Sequence, residues 1–326
     1  MAEMTMVEAL NHALHHEMDQ DASVVVLGED VGEDGGVFRV TDGLIDEFGE
    51  QRVVDTPLAE AAIVGASLGM ALNGLRPVCE IQFSGFSYYA MHQIENHVAR
   101  FRWRSRGRFH APMVIRMPYG AGVRALEHHS ESKEVFFTHI PGLKLVAPSG
   151  PRAARALLLS AIRDPDPVIF FEPKLLYRKF REDVEEEEET WPLGEARVVR
   201  EGDDLTVVAW GAMLPRTREA ADVLAEEEGA EAEVIDLVSL APLDHEPVAE
   251  SVRRTGRAVV VHEAHRSFGP GSEIVARIME DSFYHLEAPI HRVTAPDVTV
   301  PFFARENAYL PTKERIVDAF RSVLET

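Results

Sequence analysis

The sequence predicts an α/β fold in two domains, each with a mainly parallel sheet flanked by helices. Three observations predict it. The 326 residues suffice for two cores of about 150 residues each. Short apolar runs alternate with helix-like stretches along most of the chain. An acidic run ending in Trp191-Pro192-Leu193-Gly194 interrupts that alternation, which then resumes.

Taken in order, Val24 to Leu27 reads as a buried strand running into the loop Gly28 to Gly32. Arg52 to Asp55 is a second strand. Thr56 suits a helix cap and Pro57 the first helical position, so a helix is expected from Leu58 to Asn73, with Gly74 ending it. Val78 to Phe83 is the next strand, and Tyr88 to Trp103 a long helix. Met113 to Met117, Leu143 to Ala147 and Val168 to Phe171 complete the strands, with a helix from Pro151 to Arg163. The acids from Glu182 to Glu189 read as a solvated connector. The domains are therefore expected at 1–181 and 197–326, with an acidic linker at 182–196. In the second domain strands are expected at Leu205 to Ala209, Ala232 to Val238, Ala258 to His262 and Ile290 to Val293. The helices alternating with them are Leu214 to Glu228, Pro247 to Thr255, Gly271 to Ser282 and Lys313 to Leu324.

Composition narrows the function. An apolar fraction of 45% with 27% charged residues excludes a disordered or membrane-embedded chain as the leading expectation. No apolar run approaches the ~20 residues a bilayer requires, and the opening stretch lacks the basic and apolar regions of a secretory signal. A cytoplasmic setting is expected. The lone Cys79 cannot form an internal disulfide and sits in an apolar strand-like run. A formal charge of −22 argues against nucleic acid and leaves solubility or basic protein partners.

Two stretches could carry chemistry. Glu60 follows the strand ending at Asp55, near the sheet edge where ligands of open α/β folds collect. By itself it also reads as a surface carboxylate favouring the helix dipole. Downstream, Ala61, Gly65, Gly69 and Asn73 recur at helical spacing and leave one face with little bulk, suited to a tight helix or subunit contact. The second stretch is His128-His129-Ser130 after the glycine-containing Tyr119 to Val123. Histidine is the usual proton carrier near neutral pH, although such a pair also occurs in solvated turns. Zinc is disfavoured without a HExxH motif or cysteine ligands. Gly28 with Gly32, Gly35-Gly36 and Phe268-Gly269-Pro270-Gly271 match neither GxGxxG nor the P-loop pattern, so dinucleotide binding is disfavoured.

Together these stretches resemble one family, the beta subunits of thiamine-diphosphate-dependent 2-oxoacid dehydrogenase components of pyruvate or branched-chain type, related in fold to transketolase. The resemblance rests on Leu27 to Gly32, Asp55 to Glu60, Gly74 to Phe83, His129-Ser130, Pro141 to Pro148, Asp236-Leu237 and Pro242 to Asp244, in order along nearly the whole chain.

The resemblance implies that Glu60 bonds the N1′ nitrogen of the cofactor's aminopyrimidine. Leu58, Gln82 and Phe86 would line the pyrimidine pocket, and Glu29 would also reach the cofactor. His129, rather than His128, matches the family's active-site histidine. Thiamine enzymes carry Gly-Asp-Gly, followed by Asn, to hold Mg²⁺ and the diphosphate, and no Gly-Asp-Gly occurs here. The resemblance therefore implies an alpha subunit that supplies that half, an α2β2 tetramer, and a lipoyl-bearing dihydrolipoyl acyltransferase core. It also implies a potassium ion on main-chain carbonyls of Met113, Ala161, Ile162, Asp164 and Asp166. Pyruvate, branched-chain 2-oxoacids and acetoin remain open as substrates, as does a non-catalytic assembly subunit of the same fold.

Overall fold

The computed structural model describes residues 1–326. They form two compact units, Met1–Tyr119 with Phe136–Leu193, and Gly120–Val135 with Gly194–Thr326. The change at Leu193 falls inside the expected linker. The segment Gly120–Val135, expected in the first domain, instead belongs with the second unit.

In the first unit the strands are β1 (Ala2–Met4), β2 (Val24–Gly28), β3 (Val53–Asp55), β4 (Arg76–Glu80), β5 (Val114–Tyr119), β6 (Lys144–Val146), β7 (Val168–Pro173) and β8 (Glu182–Val184). The order β6-β7-β5-β4-β2-β3 forms one sheet, all parallel. Its strands are almost continuously buried, as sheets covered on both faces require. From β2 the chain passes outward to β3, then returns across β2 to β4. Strand order therefore reverses between β2 and β4, and the crevice beyond their carboxyl ends is where such sheets bind ligands.

Its helices are α1 (Met6–Gln20), α2 (Leu44–Phe48), α3 (Glu60–Leu72), α4 (Met91–Gln93), α5 (Phe101–Arg104), the single turn α6 (Glu134–Thr138), which leads in from the second unit's segment, and α7 (Pro151–Arg163). The sequence reading missed α1, although it carries a start signal. Thr5 Oγ1 accepts from Glu8 N at 3.4 Å while Glu8 Oε2 accepts from Thr5 N at 2.7 Å. Such a reciprocal box contributes about 1 kcal/mol. Met6, Leu10, Ala13, Leu14 and Met18 then recur on one buried face.

Two expectations need correction. The helix expected from Tyr88 to Trp103 is broken into a 3₁₀ turn at Ser84–Tyr89, α4, a π turn at Ile94–Val98 and α5. Ser87 Oγ donates to Ser84 O at 2.6 Å, a side-chain bond that competes with helix propagation. Gly142, at φ +100°, backs directly onto the carbonyl of Ala99 just after the π turn.

The acidic run, expected as a free connector, is bound to the first unit. β8 pairs antiparallel with β1, Arg152 bonds Glu189 through both oxygens, and Arg163 bridges Glu17 and Glu188. Charge content alone reads as solvation. The missed counterpart was the arginine stripe on α7.

The second unit holds β9 (Arg197–Arg200), β10 (Leu205–Ala209), β11 (Ala232–Asp236), β12 (Ser239–Ala241), β13 (Ala258–His265) and β14 (His291–Ala295). Its sheet runs β14-β13-β10-β11-β9, parallel except that β9 pairs antiparallel with β11. Helices α8 (Met213–Glu228), α9 (Glu246–Thr255), α10 (Pro270–Ser282), α11 (Glu306–Tyr309) and α12 (Lys313–Leu324) follow, close to expectation apart from the unforeseen α11. No helix of the chain is long and apolar enough to cross a membrane.

Candidate active site

The loops after β2, β3 and β4 meet at the carboxyl edge of the first sheet, on either side of the reversal. They carry Glu29, then Leu58 with Glu60 at the start of the helix that follows, then Gln82 and Phe86. The register sets this up, because Gly28 lies opposite both Asp55 and Glu80. Thr56 N donates to Gly28 O at 2.9 Å and keeps the chain extended past the end of β3. Pro57 therefore does not open the helix. Ala59 is the cap residue, with no side-chain bond, and Glu60 is the first residue of α3.

Glu60 is only 7% exposed, which removes the reading of a surface carboxylate. Burial raises the pKa of Glu29, with further contributions from the charges of Asp30 and Glu60. This sheet edge is thus a concentration of carboxylates, a setting that favours a protonated heterocycle. Thr56 Oγ1, in the same connection, is buried and has no hydrogen-bond partner. Gln82 Nε2 donates to Asp30 Oδ2 at 2.9 Å, tying the β4 loop to the β2 loop. Phe86 meets Phe83 edge to face with centroids 5.5 Å apart, and Leu58 is 67% exposed. A buried carboxylate, an unsatisfied hydroxyl and apolar side chains at one edge suit an aminopyrimidine.

The β2 loop is shaped by Asp55, whose carboxylate accepts from Gly32 N at 2.6 Å and Glu33 N at 3.0 Å. A carboxylate thus already occupies the amides that glycines would offer a phosphate. The other glycine cluster has a packing cause: a Cβ on Gly271 would lie 2.5 Å from His262 Nε2. Burial, then the charge of Arg292, lowers the pKa of His262 to about 3.

Beneath the pocket edge, sequence reasoning missed a buried ion network. Arg116 donates to Glu80 at 2.8 Å and, through two nitrogens, to Glu172 at 2.6 and 3.0 Å, while Tyr177 Oη donates to Glu172 at 2.6 Å. Burial pushes Glu80 upward against the pull of Arg116. The available signal was a charge in each of three strands that otherwise read as largely apolar.

His128 and His129 lie in a 3₁₀ turn, Glu127–His129, within the second unit's segment. His128 is exposed and His129 half-buried, with ring centroids 4.4 Å apart. No group of three or more His, Cys, Asp or Glu side chains gathers to hold a metal. Cys79 is buried in β4, and burial pushes its thiol up to about 12, so it is no nucleophile near neutral pH.

The carbonyls considered for potassium are partly engaged. Ile162 O and Asp164 O accept from Arg76 Nη1 at 2.8 and 3.4 Å, and Met113 O accepts from Val168 N at 3.0 Å. Lys144 pairs with Asp164 and Arg102 with Asp166. As they stand these groups fit a guanidinium better than a potassium ion.

Residues 2–179 match the transketolase pyrimidine-binding domain and residues 194–316 the transketolase C-terminal domain. A solved structure described as a split-gene transketolase, an inactive beta4 tetramer, superposes with a TM-score of 0.81 at 24% identity, covering 99% of each chain, a likeness of fold. The pyruvate dehydrogenase E1 component subunit beta of Acholeplasma laidlawii is 50% identical over 99% of this chain and 98% of its own. That of Bacillus subtilis is 50% identical over 100% of both. The chain belongs to this family of E1 beta subunits.

Proposed function

We propose that this chain, joined to an alpha subunit bearing Gly-Asp-Gly, forms an α2β2 enzyme that decarboxylates a 2-oxoacid and reductively acylates a lipoyl group. The observation that carries the proposal is the buried Glu60 carboxylate at the start of α3. Thiamine diphosphate, when bound, supplies the carbon nucleophile and electron sink of the reaction. Glu60 holds and returns the proton at N1′ of the aminopyrimidine. Glu29 adds negative charge beside it. Leu58, Gln82 and Phe86 line the ring, and His129 moves a proton as the acyl group passes to the lipoyl arm. The diphosphate and Mg²⁺ fall to the alpha subunit.

Pyruvate is favoured as substrate because relatives about half identical to this chain are named for it. A partner is supported by the open face of α3, where nothing lies within 4 Å of a Cβ placed on Gly69. Exposed Tyr89 and Trp103 add apolar surface of the kind that marks interfaces. A reducing, cytoplasmic setting suits the single buried Cys79.

The test is to co-express the chain with its Gly-Asp-Gly partner and assay pyruvate, branched-chain 2-oxoacids and acetoin with thiamine diphosphate and Mg²⁺. Turnover only in the assembled enzyme, fastest with pyruvate, is expected. Full turnover by this chain alone would contradict the shared site.

A further inference from the structure

The histidine-bearing segment is held by carboxylates of its own unit. At its base, Gly120 N donates to Glu131 O at 3.1 Å and Ser132 Oγ donates to Glu263 Oε1 at 3.0 Å. Gly120, at φ +83°, lies so close to Glu263 that any Cβ would overlap the carboxylate. Farther along, Gly122 N donates to Glu306 Oε1 at 2.5 Å and Arg124 N to Glu306 Oε2 at 2.7 Å. Both residues have left-handed backbones, Gly122 at φ +105° and Arg124 at φ +58°. Arg124 would not adopt that conformation without something to hold it. Glu306, the first residue of α11, is fully buried, whereas Val123, Arg124 and Leu126 are exposed. Ala121 is buried, and beyond it the paired bonds to Glu306 anchor this limb. The turn that follows closes with His129 N donating to Leu126 O at 3.1 Å.

We infer that Glu306 is a positioning residue which, by binding the Gly122 and Arg124 amides, fixes the loop that presents His129. The inference rests on the role proposed for His129. Two anionic oxygens facing two amide donors make strong, directional bonds. A glutamine would offer one oxygen and turn its own NH₂ towards the other donor. Glu306→Gln therefore loosens the loop while leaving the sheet of the unit intact.

The experiment uses the enzyme assembled with its alpha partner and compares E306Q, E306D, H129A and the E306Q/H129A double variant. E306Q is expected to speed amide exchange across 120–132 and leave exchange in β10 and β13 unchanged. It should lower kcat by about 100-fold, the scale of an ångström-sized misplacement, with KM for the 2-oxoacid little altered. E306D, which keeps both oxygens, should recover part of the loss, and E306Q should cost nothing further once His129 is gone. Full activity in E306Q, or an equal loss in the H129A background, overturns the inference. Full activity in H129A is a different result, removing the role of His129 and the inference that rests on it. Should E306Q fail to fold, E306D is read by the same exchange and the same cycle.

Discussion

Glu134 shows how burial sets the behaviour of one carboxyl group. It is fully buried and accepts from Trp210 Nε1 at 3.3 Å. Burial pushes its pKa from 4.5 up to about 7. The folded chain therefore binds that proton more tightly than the unfolded chain, so stability falls as pH rises from 4.5 through about 7. Glu134→Gln keeps an acceptor for Trp210 and removes the charge. It should stabilise the protein at pH 8 by up to about 3 kcal/mol and have little effect at pH 4.5, as read by urea unfolding at both values. An unchanged pH slope would contradict this. The place of Glu60 near a helix start after a strand was legible in the sequence, but its burial was not. Nothing local distinguishes a first-turn glutamate in water from one under a loop. Arg116, Glu80 and Glu172 were illegible as a set because their strands are adjacent only in the folded sheet, whose order depends on crossovers.

Helix α3 joins the site to a surface. Its first residue is Glu60, its inner face buries Ile63, Val64, Ser67, Leu68 and Ala71, and its outer face carries Gly69 with nothing within 4 Å. Replacing that glycine with leucine removes a helix-weakening residue worth about 0.5–1 kcal/mol, and the added Cβ meets nothing within 4 Å. Gly69→Leu should therefore keep or raise the melting temperature of the isolated chain while reducing co-purification with the alpha subunit. Unchanged assembly would remove this face from the interface. Elements with strong periodicity, such as α7 and α12, were read correctly to within a residue. The stretch after β4 was not, because its composition is helical while Ser87 and the close approach of Gly142 to Ala99 divide it.

At the scale of the molecule, two α/β units with an excess of acid accompany membership of a family whose relatives are named as subunits of a larger component. The charge of −22 would suit a basic docking partner on the acyltransferase core that the resemblance implies. Affinity for that core should then fall steeply as salt rises past the range where exposed charges are screened. Binding unaffected by salt would leave the charge to solubility alone. The role proposed for Glu60 is tested directly by one measurement. In the assembled α2β2 enzyme, with thiamine diphosphate and Mg²⁺ saturating, decarboxylation of pyruvate is compared between the native chain and Glu60→Gln. A fall in kcat of about 100-fold or more, with assembly intact, is the predicted result. Turnover at the native rate would contradict it.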